Sequence, residues 1–229
     1  MEIRILHLIE GAKQARGLTV IIDVFRAFTT ECYVIHNGAN AIYPVGDIRI
    51  AYELKRQHQD YVLMGERGGI IQPGFDFGNS PAQIEDVDFT GKTVVHTTSA
   101  GTQGIANAVR ADEVITGSFV NAAAVVRYIQ QRNPRVVSLV AMGIAGVNES
   151  AEDTLMATYA KMLLEGAVPD DKVFIDRLRR SDGAQKFFDP GKSWAPERDF
   201  ELCTSFNRFD FVLKAHIENG HTSVRRFDV

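Results

Sequence analysis

The chain has 229 residues, 45% hydrophobic and 24% charged, with a formal net charge of −4. Those values describe an ordinary globular protein of one large domain or two small ones. They leave no basic footprint for nucleic acid and no apolar run of membrane-spanning length. The opening MEIRILHLIEGAK has one Arg, a short apolar patch and a Glu, a poor signal peptide. Cys32 and Cys203 lie far apart without metal-like spacing, so a reduced cytoplasmic setting is the default.

In chain order, residues 18–23 (LTVIID) read as a β-rich run ending in Asp23, and 25–37 as a helix stopped by Gly38. Residues 41–45 form a second strand, with Pro44 hinting at an edge, and Asp47 is suited to N-cap the helix that follows. Residues 61–64 read as a strand that stops at Gly65 and delivers Glu66 and Arg67 into a glycine-rich loop reaching Asn79-Ser80. Glycines there let backbone N–H groups approach a ligand. Ser80-Pro81-Ala82-Gln83 has the form of a capping box. Strands at 92–98, 113–116 and 135–142 are each followed by polar or glycine turns, with helices through Val109, over 121–132 and over 152–165. The tail from 167 is richer in charge and Phe. It predicts helices near 171–180 and 206–218 and an edge strand over 223–229. Phe206, Phe209, Phe211 and Leu213 exceed what a solvated helix needs. They either cover the core of the same chain or meet a second subunit.

Near-continuous apolar strands alternating with amphipathic helices predict a three-layer α/β/α fold with a mostly parallel, mixed central sheet. No linker or repeat divides it, so residues 1–229 form one domain and 167–229 its C-terminal helical extension.

In open α/β sheets ligands bind outside the carboxyl ends of the strands. Following the predicted strands stand Asp23 with Arg26, Thr29 and Thr30; Asp47; Glu66 and Arg67 with Asn79 and Ser80; Thr97, Thr98 and Ser99, then Thr102; Ser118; and Glu152-Asp153. Helix N-termini at that edge favour an anion, and arginines suit phosphate or sulfonate through bidentate hydrogen bonds. Asp23, Glu66, Glu152 and Asp153 can hold a hard divalent cation through oxygen. Taken singly, each acid is as well explained as a cap or a solvated surface group; their gathering on one edge points to a site.

Spacing excludes several mechanisms. A Cys-x5-Arg phosphatase loop is absent: Cys203 has four residues between it and Arg208, one too few. Asp23-Val24-Phe25 lacks the second acid of an Asp-x-Asp nucleophile motif. No Gly-x-Ser-x-Gly elbow, P-loop or dinucleotide Gly-x-Gly-x-x-Gly occurs. His96, within a strand, reads as a packed core residue.

The stretches IDVFRAFTT (22–30), NGANAIYPVGD (37–47), GERGG with FDFGNSP (65–69 and 75–81), HTTSAGT (96–102), GSFVNAAAV (117–125) and EDTLMA (152–157) resemble the 2-phosphosulfolactate phosphatase (ComB-like) family, co-linearly over roughly residues 18–160. The resemblance implies a magnesium-dependent hydrolase that releases phosphate from 2-phospho-3-sulfolactate, as in coenzyme M synthesis, and a homodimer. It implies that Asp23, Arg26, Glu66 and Arg67 are catalytic and that Asp23, Glu66 and Asp153 bind Mg²⁺. Thr29, Thr30, Asn79, Ser80, Thr98, Ser99, Thr102 and Ser118 then supply hydrogen bonds to a small anionic phosphate or sulfonate substrate. Two departures from the family pattern, Phe25 with Phe28 and Ser99-Ala100-Gly101, flank the inferred anion pocket. A binder of the same anion without catalysis would need the arginines but not the acids.

Overall fold

Residues Leu18–Ile22 form a strand buried at every position. Leu18, Val20 and Ile22 enter one apolar cluster and Ile21 enters another, the alternation a strand imposes. A run with no polar stripe requires a sheet covered on both faces. The computed structural model describes residues 1–218 and 221–229; the part of the 167–229 extension at 219–220 lies outside the described residues.

The chain opens with β1 (Glu2–His7), α1 (Leu8–Gln14), β2 (Leu18–Ile22), α2 (Ala27–His36), β3 (Ala41–Pro44) and α3 (Ile48–Gln57). It continues through β4 (Val62–Arg67), β5 (Ile70–Ile71), α4 (Pro81–Ile84), β6 (Thr93–Thr97), α5 (Gly101–Asn107) and β7 (Glu113–Gly117). A 3-10 turn, Phe119–Asn121, leads into α6 (Ala122–Arg132), β8 (Val136–Ala141), α7 (Ala151–Leu164) and α8 (Asp171–Arg179). A 3-10 segment, Asp182–Phe187, α9 (Glu197–Cys203), β9 (Phe211–Glu218) and β10 (His221–Asp228) complete it. Within the described residues the strands make one ten-stranded sheet in the order β1-β8-β2-β7-β9-β10-β3-β6-β4-β5. Helices α1, α2, α4 and α5 cover one face. On the other, α6, α7 and α8 cover the β2 half and α3 covers the β4 half. This is the mostly parallel, three-layer α/β arrangement that the strand–helix alternation predicts.

The tail departs from the sequence reading. The expected helix over 206–218 is instead strand β9, and β10 is not an edge strand: the hairpin lies inside the sheet, with β9 antiparallel to β7 and β10 antiparallel to β3. Phe spacing suggested a helix, but FVLKA alternates. Val212 packs into one cluster while Phe211, Leu213 and Ala215 pack into the other. Phe209, Phe211 and Leu213 therefore cover the core of their own chain. Leu213→Ala is expected to cost about 2–5 kcal/mol, read as a lower urea midpoint with an unchanged slope. Strand β1, to which the sequence reading assigned no element, pairs in parallel with β8.

Two local corrections bear on the site. Strand β4 does not end at Gly65 but runs to Arg67, with Glu66 opposite Ile71. At Gly65, φ is +144° and an added Cβ would lie 2.0 Å from the Thr97 carbonyl oxygen, so only glycine lets the strand pass. The capping box predicted at α4 is not made: Gln83 accepts from Gly78 N at 3.0 Å, and the Ser80 hydroxyl donates to Asp199 at 2.6 Å. At α3, Asp47 caps as expected, accepting from Arg49 N.

Candidate active site

The hairpin insertion makes β3, β6 and β4 nominally antiparallel to β2, β7 and β8. From β2 to β6 the sheet passes five steps, and a twist of ~20–25° at each turns the second half back by roughly 100–125°. Both sets of carboxyl ends thus converge on one cavity of about 480 Å³. Asp23 follows β2, Gly143 to Ala145 follow β8, Glu66 rides on β4, and Thr98 to Ala100 follow β6; all line it.

One wall is acidic and buried. Asp23 Oδ1 accepts from Ala27 N at 3.2 Å. Burial pushes its carboxyl up to about 6, opposed by that amide and by Lys186 and reinforced by Glu66 and Glu152. Glu152 is likewise raised by burial, and its Oε2 meets no partner among the described residues. Asp153 bridges two loops, Oδ1 accepting from Val24 N and Oδ2 from Gly143 N, each at 2.8 Å. Burial, then Asp23 and Glu152, hold its carboxyl well above the usual range. Glu66 accepts from Ser99 N at 2.8 Å through Oε1 and from Gly69 N at 2.6 Å through Oε2.

The other wall is cationic. Arg26 is 3% exposed and lies just before α2 rather than in its first turn. Its Nη1 donates to Asp199 Oδ2 at 2.6 Å and to the Trp194 carbonyl at 2.7 Å, and its guanidinium lies 5.4 Å from the Trp194 ring centroid. Half-buried Lys186 donates to the Phe25 carbonyl at 3.3 Å. Burial and then Arg26 lower its pKa, while Glu152 opposes the shift. Lys192 and Trp194 close the rim.

Of the residues inferred from sequence, Asp23, Arg26, Glu66, Asn79, Thr98, Ser99, Glu152 and Asp153 line this cavity. The others stand behind it, with their polar atoms engaged elsewhere. Thr29 and Ser118 share a 2.6 Å hydrogen bond, Thr30 donates to the Arg26 carbonyl, and Thr102 exchanges hydrogen bonds with Thr98. Ser80 serves Asp199. Arg67 turns away, donating to the Glu66 and Gly46 carbonyls and to Thr97 Oγ1. Of the two departures from the family pattern, Phe25, Ser99 and Ala100 line the cavity while Phe28 is core. Sequence reasoning missed Lys186, Lys192, Trp194 and Asp199. The chain's single Trp, in the loop DPGKSW, was the available signal.

Fold and site define a three-layer α/β protein with one mixed-charge cavity at its strand carboxyl ends. The sequence profile of the 2-phosphosulpholactate phosphatase family matches residues 4–217. A probable 2-phosphosulfolactate phosphatase of Carboxydothermus hydrogenoformans is 35% identical, covering 96% of this chain and 95% of its own. Proteins of the same description from Bacillus subtilis and Caldicellulosiruptor saccharolyticus are 31% identical over 91% of both chains, and 40% identical over 69% of this chain and 66% of the relative's. The chain belongs to the 2-phosphosulpholactate phosphatase family, a family of phosphoric monoester hydrolases.

Proposed function

We propose that this protein is a magnesium-dependent phosphatase that converts 2-phospho-3-sulfolactate and water to 3-sulfolactate and phosphate. The observation that carries the reading is the pairing of the two walls. The buried acids Asp23, Glu66, Glu152 and Asp153 line a space that Arg26 and Lys186 also line. A binder without catalysis would have no use for that acidic wall.

Mg²⁺ is usually held by one or two carboxylates, waters and substrate phosphate oxygens rather than by a full protein cage. The donors fit that pattern. Among the described residues no group of three or more His, Cys, Asp or Glu side chains is placed to hold a metal ion by itself; carboxylate oxygens not taken up by backbone amides remain on Asp23 and Glu152. Those two would hold the ion. Asp153 and Glu66, already bound by backbone amides, would support the loops around it. When bound, the ion polarises phosphoryl oxygens and activates water. Arg26 and Lys186 neutralise the remaining anionic oxygens, Ser99 and Asn79 offer hydrogen bonds, and Phe25, Ile144 and Trp194 restrict water. Attack by water and a covalent route through Asp23 are both compatible with this arrangement.

The test is phosphate release from 2-phospho-3-sulfolactate and other phosphorylated hydroxy acids, with Mg²⁺ or with chelator. Release from the sulfonated substrate that stops in chelator and returns with Mg²⁺ is expected; no release, or full release in chelator, overturns the reading. The Asp23 carboxyl, lifted to about 6, must lose its proton to bind a cation. Mg²⁺ affinity should therefore rise from about pH 5 to pH 7, measurable by calorimetry. The homodimer implied by the family resemblance stays with this reading; sedimentation at micromolar concentration checks it.

A further inference from the structure

Behind the cavity, α2 and β6 bring together two charged-type side chains that are both fully buried, Glu31 and His96. Glu31 Oε1 lies 2.8 Å from His96 Nδ1, and His96 Nε2 lies 3.2 Å from Asn79 Oδ1. Asn79 lines the cavity. In this arrangement, with Asn79 Oδ1 beside it, Nε2 carries a proton and donates, whichever of Glu31 and Nδ1 holds the other. That hydrogen bond holds the Asn79 oxygen inward. The Asn79 Nδ2 group then takes no acceptor among the described residues and is turned to the cavity.

We propose that Glu31 and His96 are positioning residues, holding the Asn79 carboxamide so that its Nδ2 donates a hydrogen bond to the anionic substrate. The inference rests on the phosphatase reading. Stability alone gives little reason for the pair. Glu31 Oε2 is buried without a partner among the described residues, which costs free energy, and an apolar pair of similar volume fills such a space at least as well.

The last point supplies the experiment. Replacing both partners, Glu31→Leu with His96→Phe, leaves no orphaned charge. Affinity for inorganic phosphate, measured by calorimetry, should fall on the order of tenfold, as for loss of a hydrogen bond to a charged group, with the melting temperature held. His96→Gln, which keeps an N–H towards Asn79, should retain most of that affinity. In an Asn79→Ala background the pair replacement should cost nothing further, since the pair acts through Asn79. Wild-type affinity in the pair replacement, or a loss that adds in full to that of Asn79→Ala, overturns the proposal. If the pair replacement does not fold, Glu31→Gln with His96→Leu, which also strands no charge, takes its place: its phosphate affinity should fall below that of His96→Gln, and equal affinity overturns the proposal. The Asn79 side-chain amide signal, followed by NMR without ligand, separates the two readings. An amide that depends on His96 in a protein that binds no phosphate sinks the phosphatase reading alone. An amide indifferent to the pair in a protein that does bind phosphate sinks the positioning alone.

Discussion

Asp199→Ala should be among the most destabilising single substitutions in this protein, costing on the order of 3–5 kcal/mol. Asp199 is fully buried in the first turn of α9. Its Oδ2 receives Arg26 Nη1 at 2.6 Å, and its Oδ1 receives Ser80 Oγ at 2.6 Å and Ala82 N at 3.0 Å. One carboxylate thus neutralises a guanidinium that is 3% exposed and caps α4 from another part of the chain. Truncation strands the charge and both donors in a space water reaches poorly, the case in which removing one partner costs more than the pair contributes. Asp199→Asn keeps the shape and part of the hydrogen bonding, so it should lose less stability but still release Arg26. Chemical denaturation of both variants, with phosphatase assays on the folded fraction, checks this. A midpoint for Asp199→Ala within experimental error of wild type would show that Arg26 finds another anion or reaches solvent.

That residue marks the limit of what the chain declares in one dimension. The parallel strands were legible because each is a short apolar run closed by a polar or glycine turn, and the acids at their ends could be read off once the sheet was inferred. Asp23, Glu66 and Asp153 share a cavity because β2 and β4 carry the first two to it and α7 carries the third. Strand β9 was not legible as such, since Phe206 and Phe209, leading into it, and Phe211 and Leu213, within it, fit a helical spacing as well as an extended one until the sheet showed a gap between β7 and β3. The cations were partly hidden for a similar reason. Arg26 and Arg67 look alike beside their strands, yet one is drawn into the cavity by Asp199 and the other turned away by the Gly46 carbonyl and Thr97. Lys186 reaches the cavity only through the packing of the 3-10 segment that carries it, and a local reading of ordinary charged sequence does not reveal that packing.

Arg26→Lys should lower the phosphatase rate by on the order of 10²–10³ while leaving the fold in place. The argument turns on how many partners the guanidinium serves. Nη1 alone meets both Asp199 and the Trp194 carbonyl, and the same side chain lines the cavity. A planar fork can hold the two internal partners on one edge and present its remaining N–H groups to a phosphoryl oxygen. An ammonium has three donors on a point charge; engaged by Asp199 and Trp194, it keeps no second donor in a fixed direction. The charge that pairs with Asp199 is preserved, so Lys avoids the stranded carboxylate that Arg26→Ala would create. The loss should therefore fall on turnover, with a melting temperature close to wild type. If the rate falls only in proportion to the unfolded fraction, Arg26 is a structural partner of Asp199 and the cationic wall reduces to the lysines. If turnover stays near wild type in a folded variant, the oriented fork is not what stabilises the transferring phosphoryl group.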